Sequence, residues 1–257
     1  MSEPLQPTIL RFDSLDSTNL EAVRQARAGA QEGLCVVARE QTAGRGRLDR
    51  SWQSPKDAGL YFSLVLRPQL KMNAWPLITL MAALAVSDTL RHLYGLSPDI
   101  KWPNDVCMGD QKLSGILAET LETEAGSACV LGIGINLRKG GLPPELEELA
   151  TSIEDAVRLA PDAEVLLQAL LRHLVIRYER LQEADGALSV LRDWMAASLY
   201  AFGKNVCVDA GAELFAGVTH GLEDDGALRV KVANGEIKVV RAGDVRSVRS
   251  KSQRAKG

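Results

Sequence analysis

Residues 34–66 read LCVVAREQTAGRGRLDRSWQSPKDAGLYFSLVL. The runs at 34–39 and 60–66 are short, continuously apolar and rich in β-branched and aromatic side chains, so both read as buried strands. Pro68 stops the second. Between them, 41–58 has neither the helical nor the strand period and is crowded with Gly and Arg, so it reads as a loop. Working outward, Ile9–Phe12 reads as a first strand. Thr18-Asn19-Leu20-Glu21 is a capping-box pattern that opens a helix running to Gly29. Residues 74–94 read as a long helix with an apolar face. Ile100–Trp102 and Ile116–Glu119 read as strands flanking a KWPND turn, and Ala128–Leu137 (ACVLGIGINL) as another. Residues 161–184 and 186–199 carry helical patterns. Strands and helices mix without a regular βαβ rhythm, which predicts an α+β core: a mixed β-sheet with helices packed on one side.

From Lys204 the texture changes. Short β-rich pieces are separated by turn signals at Asp209–Gly211, Asp224–Gly226 and Asn234–Gly235, and these predict a small β-barrel of four or five strands. The expected division is therefore 1–202, 203–250 and a basic, frayed tail at 251–257.

Composition narrows the function. The chain has 257 residues, 46% hydrophobic and 25% charged, with a net charge of −3. That balance gives no strong pull toward nucleic acid. The four cysteines (Cys35, Cys107, Cys129, Cys207) and three histidines are scattered. They show no zinc-type spacing and read as thiols in a reducing compartment, so no protein-derived metal site is expected. The N-terminus lacks the basic and apolar regions of a signal peptide, and the longest apolar stretch, around Ile78–Val86, is too short to span a bilayer. A cytoplasmic protein is the expectation.

Two segments carry chemistry. In QTAGRGRLDRSWQS (41–54), Arg45 and Arg47 alternate with Gly44 and Gly46, with Arg50 close by. Guanidinium groups grip carboxylates and phosphates by paired hydrogen bonds, and glycines let backbone N–H groups face an anion. Solvated surface arginines are the bland alternative. Trp52 either covers a flat ligand such as an adenine or simply packs on the core. In KWPNDVCMGDQKLSG (101–115), Pro103 pushes Trp102 toward an extended conformation and fixes a turn that presents Asn104 and Asp105. Lys101, Lys112 and Asp105 then form either a polar cluster or a solvated ion pair of little energy. Ser114-Gly115-Ile116-Leu117 and Gly132-Ile133-Gly134-Ile135-Asn136 interrupt apolar strands with glycine. This suits a flat apolar ligand lying on the sheet, or a bulge or tight strand packing.

In sequence order these segments resemble the biotin protein ligases (biotin–acetyl-CoA-carboxylase ligases). The resemblance runs through DSTN (16–19), QTAGRGR (41–47), RSWQSP (50–55), GLYFSLVLRP (59–68), KWPNDV (101–106), KLSGILAE (112–119), GIGINL (132–137) and TSI (151–153). It implies the biotin–lipoate ligase catalytic fold, class II synthetase-like, followed by an SH3-like domain. It also implies ATP-dependent conversion of biotin to biotinyl-5′-AMP with Mg2+, then transfer to a lysine of a biotin carboxyl carrier domain. By motif, Ser17, Thr18, Asn19, Gln41, Arg45, Gly46, Arg47, Lys112, Gly115, Gly132 and Gly134 would meet biotin. Arg45, Arg47, Trp52, Asn104, Lys112 and Asn136 would meet the nucleotide. Lys112, Arg47 and Asp105 would be catalytic, with Asp105 orienting or deprotonating the target amine.

The family usually has glycine at Asp49 and Asp57; aspartate tolerates left-handed backbone, so both turns should survive. Because the core begins about ten residues from Met1, a monofunctional ligase without specific DNA binding is expected, monomeric or homodimeric. The competing expectations are a lipoate ligase or octanoyltransferase of the same fold, a catalytically inactive biotin-binding sensor and, more remotely, a nucleic-acid-binding module.

Overall fold

The computed structural model describes residues 5–141, 143–146, 148–211 and 213–247. Seven strands build the main sheet: β1 (Thr8–Phe12), β2 (Leu34–Ala38), β3 (Gly59–Leu66), β4 (Asp99–Lys101), β5 (Asp105–Met108), β6 (Gln111–Thr123) and β7 (Gly126–Asn136). Their order is β1-β2-β3-β7-β6-β5-β4, with β1 and β2 parallel and the other pairs antiparallel. The sheet is mixed, as the absence of a βαβ rhythm predicts.

Strand alternation assigns the two faces. From β7, Cys129, Leu131, Ile133 and Ile135 join one large core with the helices α2 (Leu77–Tyr94), α4 (Ala163–Leu181) and α5 (Gly186–Ala197). Val130 points the other way and joins Val36 and Val65 beneath Ala22 and Ala26 of α1 (Thr18–Arg27). The three long helices thus share one side, and the short α1 alone covers part of the opposite face. A further short helix, α3 (Ile153–Val157), is capped by Ser152, whose hydroxyl accepts from the Asp155 N–H at 3.1 Å.

Beyond the helices, β8 (Phe202–Asp209), β9 (Leu214–Leu222), β10 (Leu228–Lys231), β11 (Ile237–Val240) and β12 (Asp244–Ser247) form an antiparallel sheet in the order β11-β10-β9-β8-β12. Five strands match the expected number. Val206, Val208, Leu228, Val230, Val240 and Val245 belong to the same cluster as the main core, so the two sheets share one apolar interior. The expected frayed tail at 251–257 lies outside the described residues.

Two local expectations are corrected. The helix at Thr18 does not start with a capping box. Ser17 is its N-cap and makes no side-chain cap bond, while Thr18 turns its hydroxyl to Gln41 and Glu21 pairs with Arg24 and Gln25. Tertiary partners outcompete the local motif. The second correction concerns the segment after KWPND, which forms a hairpin of two strands, β5 and β6; β6 begins at Gln111 rather than near Ile116. A register shift at Val106/Cys107 breaks the two-residue period there, so the pattern is not readable in the sequence.

Asp49 and Asp57 both take left-handed backbone, φ 57° and 58°. Asp57 receives two bonds from Arg39, 2.7 Å from Nε and 2.6 Å from Nη2. That guanidinium holds the Asp57 carboxyl below its ordinary value of 3.8. A carboxyl lowered on folding contributes stability above its unfolded pKa and loses it as pH falls through the folded value. Asp57→Asn keeps the turn but removes the charge. It should unfold at slightly lower urea than wild type at pH 6, and the gap should close as pH falls below 3.8. Urea midpoints measured across that range check this.

Candidate active site

The site occupies the sheet face that α2, α4 and α5 leave free. Its floor is set by register. Gly134 pairs with Gly115 and Tyr61, and Gly132 pairs with Leu117 and Ser63. A Cβ on Gly134 would lie 2.6 Å from the Trp52 indole, and one on Gly115 2.9 Å from the same ring. A Cβ on Gly132 would fall 1.9 Å from Asn19 Oδ1. These positions are glycine because Trp52 and Asn19 lie directly against the backbone, so the expected close approach is real and is made here by protein side chains.

One wall is the start of α1. Ser17, Thr18 and Asn19 are buried polar residues, which is costly unless they are paired. The Gln41 side-chain oxygen accepts from the Thr18 N–H at 2.8 Å and lies 3.1 Å from its hydroxyl, while Gln41 Nε2 donates to Ser54 at 2.7 Å. The Ser63 hydroxyl donates to Asn19 Oδ1 at 2.6 Å, and Asn19 Nδ2 donates to Glu119 at 2.9 Å. A connected network of this kind locks side-chain orientation.

The opposite wall and roof are cationic. Segment 44–52 is not an open loop. The Gly46 N–H donates to the Arg50 carbonyl at 2.7 Å, Arg50 to Arg47 at 3.2 Å and Trp52 to Gly44 at 2.9 Å, closing a tight hairpin. Its turn residues Leu48 and Asp49 both have positive φ, as a primed hairpin turn requires. Arg45 pairs with Glu119 at 3.1 Å. Arg47 Nη1 donates to Asn104 Oδ1 at 3.3 Å, and Asn104 Nδ2 donates to the Ile116 carbonyl at 2.7 Å, tying the KWPND turn to β6. Burial pulls the Arg47 guanidinium below its ordinary pKa, and Asp105 nearby opposes that. Lys112 Nζ stands 2.6 Å from Asp105 Oδ1 and 5.1 Å from the Trp52 ring centre.

Ser17, Thr18, Asn19, Gln41, Arg45, Gly46, Arg47, Trp52, Asn104, Asp105, Lys112, Gly115, Gly132 and Gly134 all line this one cavity. Asn136 does not. It lines an adjoining hollow shared with Trp52, Lys112 and Leu149, and its amide donates to the Thr151 carbonyl at 2.9 Å. Lys101 lies across from Asp105 in the β4–β5 pairing but is not part of the cavity lining, so Lys112 alone makes the expected lysine–aspartate contact. Three residues of the site were not expected from sequence. Ser63 carried a usable signal, a lone hydroxyl inside GLYFSLVL. Glu119 and Asp244 carried none, because their roles come from segments distant in the chain. Cys107, beside the site in β5, is buried, which pushes its thiol up to about 12 and leaves it unreactive.

Cations, a glycine floor and a locked polar wall on one sheet face make a site suited to drawing anionic groups together. The sequence profile of the "Biotin/lipoate A/B protein ligase family" matches residues 11–136. The bifunctional ligase/repressor BirA of Bacillus subtilis is 34% identical over 95% of this chain and 75% of its own length. The biotin–[acetyl-CoA-carboxylase] ligase of Mycobacterium tuberculosis is 36% identical over 89% and 85%. Among solved structures, the biotin protein ligase of Aquifex aeolicus in complex with biotin and ATP superposes with a TM-score of 0.81. It is 29% identical, with 95% of this chain and 99% of that chain covered. The chain belongs to the biotin/lipoate A/B protein ligase family.

The floor makes a sharp prediction. Gly132→Ala must drive Asn19 away from Ser63 and Glu119, leaving buried polar groups unpaired. We expect a loss of about 1–3 kcal/mol in unfolding free energy, measured by urea titration.

Proposed function

We propose that the protein joins biotin to ATP, giving biotinyl-5′-AMP and pyrophosphate, and then passes biotin to a lysine of a biotin carboxyl carrier domain in a carboxylase. The observation that carries this reading is the convergence of Arg45, Arg47 and Lys112 with the Ser17–Asn19 wall over the Gly115–Gly134 floor in one cavity. The named functions of the relatives point the same way.

In the first step a biotin carboxylate oxygen bonds to the α-phosphorus, and the bond to pyrophosphate breaks with its electron pair leaving on pyrophosphate. Both reactants are anions, so the protein's task is charge neutralisation and alignment. We assign Lys112 and Arg47, which line the cavity together, to the meeting point of carboxylate and α-phosphate. Arg45 and Gly46 close over the biotin side, and the Gln41–Thr18–Asn19–Ser63 network orients its polar head. Trp52 and Asn136 border the adjoining hollow, which suits the adenine. We assign magnesium to the ATP phosphates, whose hard oxygens suit it. The adenylate is a mixed anhydride that water destroys, which gives the arginine hairpin a second use as a cover.

In the second step the lysine nitrogen bonds to the acyl carbon, AMP leaves, and the amine proton must go to a base. A free lysine has a pKa of about 10.4, and Asp105, the acidic group 2.6 Å from Lys112, is the residue assigned to accept it or to orient the amine. Among the described residues no helix is long and apolar enough to cross a membrane.

Biotin-dependent ATP–pyrophosphate exchange with magnesium, run beside a lipoate control, tests the first step; exchange with lipoate and none with biotin would reject the reading. Lys112→Ala should lower exchange by roughly 100- to 1000-fold, the effect of removing one preorganised charge partner. Asp105→Ala should slow transfer from preformed adenylate more than it slows adenylate formation. The reverse order would remove its role as base.

A further inference from the structure

The arginine hairpin is held from the far end of the chain. Asp244, the first residue of β12, pairs its carboxylate with the Arg50 guanidinium. Next to it, the Gly243 carbonyl lies 3.5 Å from Arg47 Nη1. Asp244 lines the same cavity as Arg45 and Arg47, and its side chain is 19% exposed, against 58% for Arg50. The corner that presents it is tightly packed. Gly243 has φ 139°, and a Cβ there would meet the Asp209 carbonyl at 2.4 Å. A second contact, Trp102 Nε1 to the Gly226 carbonyl at 3.0 Å, fixes the C-terminal sheet to the KWPND turn.

We propose that Asp244 is a positioning residue of the ligase site, acting through Arg50 to hold the hairpin that carries Arg45 and Arg47 over the cavity. The inference deepens the ligase reading and rests on it for its effect on ATP. Two physical reasons support it. First, Arg50 is the cross-strand partner of Gly46, and its N–H donates to the Arg47 carbonyl, so whatever fixes Arg50 fixes Arg47 through a two-residue turn. Second, a carboxylate on the wall of a cavity that takes anionic groups is unfavourable unless a cation neutralises it. Arg50, which lines the same cavity, supplies that cation. The arrangement makes the C-terminal sheet part of the site's roof.

Trypsin reads the hairpin directly, because the bonds after Arg45 and Arg47 are cut only when it opens. We compare the full-length wild type, Asp244→Asn, and the charge-swapped double variant Arg50→Asp/Asp244→Arg, following cleavage after Arg45 and Arg47 by mass. An exposed ion pair supports an effect of about two- to five-fold. Asp244→Asn should therefore be cut about two- to five-fold faster within the hairpin, with cleavage elsewhere unchanged, and the swap should slow it again. In ATP–pyrophosphate exchange, Asp244→Asn should raise KM for ATP by a similar factor with kcat little changed, and the swap should restore it. Wild-type cleavage in Asp244→Asn, or a swapped protein as open as Asp244→Asn, overturns the proposal. Cleavage needs no substrate, so failure of the ligase reading would show separately, as wild-type protein without biotin-dependent exchange.

Discussion

The structure depends on the two-residue period of β7. Every second residue, Cys129, Leu131, Ile133 and Ile135, enters the core beneath the long helices, and their burial anchors the middle of the sheet. The residues between them include Gly132 and Gly134, which leave bare backbone where another strand would carry side chains. One strand thus serves two incompatible demands. Its apolar face supplies stability, and its other face stays thin enough for Asn19 and Trp52 to lie flat on it. Because β7 is paired with β6 from Gly126 to Ile135 and with β3 from Cys129 to Asn136, neither demand disturbs the hydrogen-bonded ladder.

Charge is managed by the same economy of partners. Arg45, Arg47, Arg50 and Lys112 crowd one end of the sheet, and such a cluster repels itself in the absence of counter-charges. Glu119, Asn104, Asp244 and Asp105 supply acceptors for them. Most of these contacts are partly exposed, so each is weak and screened. Weak partners suit a binding site, since anionic substrates can take over cations that are ordered but not trapped. Asp57 illustrates the other use of an acid: with left-handed backbone, it is paired twice to Arg39 at the foot of the loop.

Much of this was legible in the chain. The runs LCVVA and LYFSLVL fold as strands because their continuous apolar character matches burial on both faces, and the apolar pattern at 74–94 folds as α2. The Gly–Arg and KWPND segments meet because both sit at strand ends along one edge of the site. Less was legible where local rules compete with distant ones. The capping-box residues Thr18 and Glu21 were drawn to other partners, and the bulge in β5 erased the period of a hairpin. Ser63 could have been found as the odd hydroxyl in an apolar run; Glu119 and Asp244 could not.

The sequence by itself determined most of the elements, the mixed α+β class, the family and the cations and glycines that the fold gathers around one cavity. Those properties follow from period, turn chemistry and motif order, which are local. Only the tertiary structure decided that α1 lies opposite the other helices, that Trp52 rests on paired glycines, and that β12 reaches back to the arginine hairpin. Each of these needs segments far apart in the chain to be brought within a few ångströms. Strand order and core packing set such distances, and no local pattern encodes them.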